Sequence, residues 1–142
     1  MVRFLACGLV GGLFLCAVAT PEARAEKRKV LIVQTWQGSV DDEKLMKDAP
    51  VALNSAKGLE KVWKAWKIEG KTPKVDFTKF IVVGVYSQGS KLNLASAVLD
   101  DDGNLEVVGL GTRDLRPGFR YVLGMVSNDG VKSVNSKKLP KE

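Results

Sequence analysis

The side chains that this sequence lacks constrain its chemistry more tightly than those it has. The chain contains no histidine, and its two cysteines, Cys7 and Cys16, both lie near the N-terminus. Without histidine, the Ser–His and Cys–His nucleophile systems are excluded and the commonest neutral metal ligand is gone. No Gly-x-Ser-x-Gly elbow occurs, no serine is followed three residues later by lysine, and neither a phosphate-binding glycine loop nor a dinucleotide fingerprint is present. What survives is acid–base chemistry on carboxylate, tyrosine, lysine or arginine side chains. A small hydrolase or lyase of that kind would draw first on Asp76, Tyr86 and Asp114. No local pattern assigns them that role, so the expectation is a non-enzyme with no cofactor and no metal.

Two polar clusters carry residue types suited to binding. Asp100-Asp101-Asp102-Gly103-Asn104 is an oxygen-rich turn, but an EF-hand loop needs glycine sixth and glutamate twelfth. Counted from Asp100, the glycine is fourth and the twelfth residue is Gly111 rather than a glutamate, so a plain hairpin turn is expected. Arg113, Arg116 and Arg120 gather around Pro117-Gly118. An exposed arginine cluster can grip carboxylates or phosphates with paired hydrogen bonds; equally, Asp114 can pair locally and leave a solvated loop. These three arginines, together with Gln88, Ser90 and Lys91 in the turn at 88–91, form the candidate contact surface. Lys57, Lys61, Lys64 and Lys67 share the outer side of the main helix and read as a wetted face. The chain beyond the N-terminal segment lacks the interleaved exposed aromatics that stack bases, so no nucleic acid is expected.

These side chains must be positioned by a small set of elements. Residues 29–37 are apolar and β-branched and read as a strand, with Trp36 near its end and partly exposed. The charged stretch 41–48 is a loop or short helix, and 51–53 a short edge strand. The clearest helix spans about 56–68. Asn54 or Ser55 caps it, Ala56, Leu59, Val62, Trp63 and Trp66 make its apolar stripe, and Gly70 and Pro73 lie beyond its end. That stripe makes Trp63 and Trp66 core residues rather than ligand-stacking ones.

Residues 80–87 are almost continuously apolar, as in a central strand covered on both faces. Strands follow at 92–99 and 105–110, then a polar loop at 112–118. A strand at 119–127 carries Phe119, Tyr121, Leu123 and Met125 on one face, and Asn128-Asp129-Gly130 signals a hairpin. Residues 131–134 close the sheet and 137–142 form a charged tail. The expected fold is α+β: one amphipathic helix packed on an antiparallel sheet of about five to six strands.

Hydrophobic residues are 45% of the chain and charged ones 27%, which argues against disorder. Residues 4–19 carry no charge, Pro21 follows, and Ala23-Arg24-Ala25 places small residues where a signal peptidase needs them. A cleavable signal peptide over 1–25, with cleavage after Ala25, is therefore expected. The uncharged run is too short for a stable membrane span. Residues 26–142 then form one thiol-free domain, secreted or periplasmic. The net charge is +6, of which Arg3, Glu22 and Arg24 account for +1. The excess favours anionic surfaces in general, envelope polymers among them.

The paired tryptophans of the helix, the run Pro73-Lys74-Val75-Asp76-Phe77-Thr78-Lys79 and the apolar strand from Ile81 carry a resemblance. Over about residues 59–108 the chain resembles the C-terminal domain of PrcB-like accessory subunits of bacterial surface protease complexes. Where that family has a Gly-Gly-Tyr segment, this chain reads Gln88-Gly89-Ser90-Lys91-Leu92-Asn93. The resemblance implies a non-catalytic interaction module of the cell envelope whose partner is a protease or another envelope or secreted protein. In the run itself, Val75 and Phe77 are expected to anchor the strand entrance and Asp76 to bond a nearby turn.

Overall fold

The computed structural model describes residues 27–141; the signal-peptide reading of 1–25 lies outside them. Nine strands and one α-helix follow in the order β1 (Arg28–Lys29), β2 (Ile32–Val40), β3 (Ala52–Leu53), α1 (Ala56–Ala65), β4 (Phe80–Ser87), β5 (Leu92–Leu99), β6 (Asn104–Gly111), β7 (Phe119–Ser127), β8 (Ser133–Val134) and β9 (Lys137–Lys138). A 3-10 turn, Glu43–Met46, precedes β3 and is capped by the Asp42 carboxylate.

The class is α+β with mostly antiparallel pairing, but the expected sheet of five to six strands is two sheets. One has four strands in the order β2-β7-β4-β3; the other has five in the order β1-β5-β6-β8-β9. The reason is visible in β4. Its residues alternate between two neighbours: Ile81, Val83 and Val85 join the core between the sheets, while Val82 and Tyr86 face the helix. A strand covered on both faces needs two covering layers, and one helix supplies one of them. β5 and β6 supply the other, with Leu92, Ala97, Leu99, Leu105 and Val107 turned inward. The molecule is thus helix, four-stranded sheet and five-stranded sheet in three layers.

The helix forms much as its pattern demands. The Ser55 hydroxyl accepts from the Gly58 N–H, and Leu59, Val62, Trp63 and Trp66 are buried. Lys57, Glu60, Lys61, Lys64 and Lys67 are exposed, and Glu60 pairs with Lys64 at 2.6 Å. The helix ends earlier than expected, and Gly70 does not end it. Lys67 takes the left-handed conformation (φ 53°). The Ile68 N–H then reaches the Trp63 carbonyl and the Lys67 N–H the Lys64 carbonyl. This is a complete Schellman closure built on a lysine.

Three further expectations are corrected. Residues 29–37 are not one strand, since Lys29 pairs with Val98 in the five-stranded sheet and β2 begins at Ile32 in the other. Asn128-Asp129-Gly130 does not join two strands of one hairpin. It carries the chain from β7 across to β8, which runs parallel to β6. The tail instead contains a hairpin: β8 and β9 pair through Asn135 and Ser136, both at positive φ, the signature of a type I′ turn.

Candidate functional site

The topology explains why two distant segments meet. β4 and β7 are antiparallel neighbours in one sheet, so the end of β4 lies beside the start of β7, with Ser87 opposite Arg120. Between them in sequence the chain makes the β5–β6 hairpin in the other sheet. The outward crossing at 88–91 and the return at 112–118 therefore lie side by side at one end of the molecule. These are the two segments singled out from sequence.

The crossings are stitched together. Asp114 accepts from the Ser90 N–H (3.0 Å), the Ser90 hydroxyl (3.1 Å) and Arg116 Nε (3.1 Å). Thr112 Oγ1 accepts from the Lys91 N–H, and the Thr112 N–H donates to the Lys91 carbonyl. The Arg116 N–H donates to the Gln88 carbonyl, and Gln88 Nε2 reaches Glu43 at 3.5 Å. Gly89 permits this approach, because a Cβ there would stand 2.2 Å from the Thr112 carbonyl oxygen. The Thr112 hydroxyl, the Ser90 N–H and hydroxyl, and Arg116 together hold the Asp114 carboxyl well below the usual carboxylate range. Asp114 is thus an ionised staple at neutral pH, with its acceptor capacity occupied.

The six expected binding residues divide. Gln88 and Arg116 serve the staple, Ser90 serves it and also lines an adjoining groove, Arg113 is exposed, and Lys91 and Arg120 line the groove. The groove is about 400 Å³ and opens between the sheets. Its other walls come from Gln37, Gly38 and Ser39 of β2 and from Asn93 and Tyr121. Sequence reasoning missed the β2 side. The usable signal was the polar Thr35, Gln37 and Ser39 alternating with Trp36, Gly38 and Val40: a strand with one polar face has that face uncovered. Trp36 is half-buried against the helix-side core, as expected. A second mouth, about 500 Å³, opens on the far side of Leu92, with Lys47 and Lys137 at its rim.

The acid–base suspects do not converge. Asp76 precedes β4, accepts from the Thr78 N–H and hydroxyl, and its pKa is lowered by those bonds. Val75 and Phe77 beside it pack on the helix-side core. Tyr86 lies at the other end of β4, about 20 Å along the strand from its first residue at 3.3 Å per residue, and donates to the Pro50 carbonyl. Burial pushes the Tyr86 phenol up, away from any proton transfer near neutrality. Residues 100–104 form the expected hairpin turn between β5 and β6, with Asp100 Oδ1 accepting from the Asp102 and Asn104 N–H groups. Among the described residues no three acidic, histidine or cysteine side chains gather as a metal site, and no helix is long and apolar enough to cross a membrane.

The site therefore belongs to a class, a pre-organised polar surface with an adjoining cationic groove on a three-layer α+β scaffold. Comparison with known protein families, with curated proteins and with solved structures finds no match.

Proposed function

We propose that this protein is an exported, non-catalytic binding domain of the bacterial cell envelope, accessory to a protease or another envelope or secreted protein. The observation that carries the reading is the stapled pair of crossings. Two segments more than twenty residues apart are locked into one exposed surface by side-chain hydrogen bonds that the core does not need. A surface fixed before contact loses little freedom on binding, which is what a recognition face requires. The signal-peptide pattern supports the location, and the resemblance of residues 59–108 to PrcB-like subunits supports the accessory role. The net charge of +5 that remains once the signal segment is removed favours a second reading, docking on anionic envelope polymers.

Affinity capture from the envelope of the source cell, followed by mass spectrometry, tests the first reading. The recovered protein should begin at Glu26. It should bring down a defined protein that the double variant Arg113→Ala, Arg116→Ala loses, with the melting temperature unchanged. An intact N-terminus on protein from the cytosol, or a partner indifferent to those arginines, would overturn it. Binding to any polyanion that vanishes at high salt would favour the second reading.

A further inference from the structure

The groove beside the staple holds a charge imbalance that the fold does not explain. Arg120 sits near the start of β7, paired with Ser39 of β2 on one side and Ser87 of β4 on the other, so the sheet fixes its backbone. Its side chain is half-buried, yet among the described residues it makes no hydrogen bond or ion pair. Lys91, across the groove, likewise has no side-chain partner there. The neighbouring acid is Asp114, and its oxygens are taken by Ser90 and Arg116. A guanidinium partly withdrawn from water on a rigid strand, beside a second cation, gains most from a planar anion that can take two parallel N–H bonds.

We propose that this groove is a carboxylate seat, in which Arg120, backed by Lys91, receives an acidic side chain of a partner polypeptide. The proposal rests on the binding-domain reading and specifies what that surface recognises. Ser39 and Asn93, from opposite walls, supply neutral hydrogen-bonding groups that orient the bound segment. A polymer of phosphates fits less well. The lysines of α1 face outward from the helix, on the layer opposite the five-stranded sheet, so they do not extend the two groove cations into a stripe.

The test is an amide NMR titration of the purified protein at moderate salt with a hexaglutamate peptide, with inorganic phosphate and with long-chain polyphosphate. The peptide should move the Ser39, Ser90, Lys91 and Asn93 signals. Arg120→Gln should weaken it at least about tenfold, the scale of one charge-assisted pair. Lys137→Gln, at the second mouth, should change it less than about twofold, the scale of an exposed charge. Equal losses in the two variants would overturn the seat, as would shifts spread over the α1 lysines. So would phosphate displacing the peptide at equal concentration, or affinity that simply rises with polyphosphate length. Melting temperatures and the undisturbed α1 signals confirm that each variant is folded. If hexaglutamate seats but envelope capture fails, the accessory-domain reading falls and the seat stands. If capture depends on Arg113 and Arg116 but Arg120→Gln leaves the peptide unaffected, the seat alone falls.

Discussion

The two faces of the four-stranded sheet solve the same problem with different materials. The face under α1 is aromatic: Trp66 meets Tyr86 and Phe119 edge-on at 5.6 and 5.4 Å and lies tilted on Tyr121 at 5.2 Å. The face against the other sheet is aliphatic: Ile81, Val83, Val85, Val122 and Val126 meet Leu92, Leu99, Leu105 and Val107 of β5 and β6. The difference follows from geometry. A ten-residue helix is narrower than four strands, so large rings must reach sideways to cover the sheet. Two stacked sheets match each other in width, and short branched side chains fill the space between them. The aromatic layer thus concentrates its energy in a few residues, whereas the aliphatic layer spreads it evenly and depends on close approach.

Trp66→Ala is the strongest way to break the contrast. It removes the ring that three other rings touch, and should cost about 3–5 kcal/mol, the range for emptying a large aromatic site. Urea denaturation measures it. A loss no larger than that of one deleted methyl group, about 0.5–1.5 kcal/mol, would show that the rings are not the centre of that layer.

The aliphatic face should instead be vulnerable to addition. A Cβ at Gly109 would lie 2.9 Å from Val85 Cβ, an atom fixed to the backbone of a central strand. Gly109→Ala should cost about 1–3 kcal/mol by forcing the sheets apart. Gly124 faces a shorter approach, 2.4 Å, but to the tip of the Leu94 side chain, which can swing aside. Its alanine variant should cost less, and the reverse order would mean that the spacing between sheets is not the constraint.

How much of this was legible in the sequence follows from the same contrast. Helical periodicity exposed the tryptophan stripe, and the unbroken apolar run of β4 announced burial on both faces. The second covering layer was implied by that run, yet β5 and β6 alternate imperfectly. The bulge between Leu94 and Ser96 shifts the inward positions of β5 and hides its pattern. Turn chemistry is local: Asn128-Asp129-Gly130 shows where the chain reverses, not which sheet the next strand joins. Asn135-Ser136 lies among charged residues, and its serine is an unusual choice at positive φ, so the last hairpin read as a tail. The stapled loops were legible as polar segments of matched chemistry. Their meeting was not, because it depends on β4 and β7 being neighbours across a long stretch of chain.

The smallest effect separates the faces by pH, since the aromatic layer carries phenols and the aliphatic one carries nothing that titrates. Burial raises the Tyr86 pKa above its ordinary value near 10, and Tyr121 shifts the same way. A group whose folded pKa is raised contributes stability that is complete below its unfolded pKa and is lost as pH climbs toward the folded one. Stability should therefore fall above about pH 10, by about 1.4 kcal/mol per pH unit for a fully shielded phenol. Tyr86→Phe should cost about 1 kcal/mol at pH 8, because the bond to the Pro50 carbonyl is gone. It should also remove the larger share of the alkaline slope, since Tyr86 is the more strongly shifted of the two phenols. The wild-type and variant curves from urea denaturation should then cross about one unit above pH 10. Parallel curves through pH 11.5 would place the titrating group elsewhere and remove the distinction between the two faces.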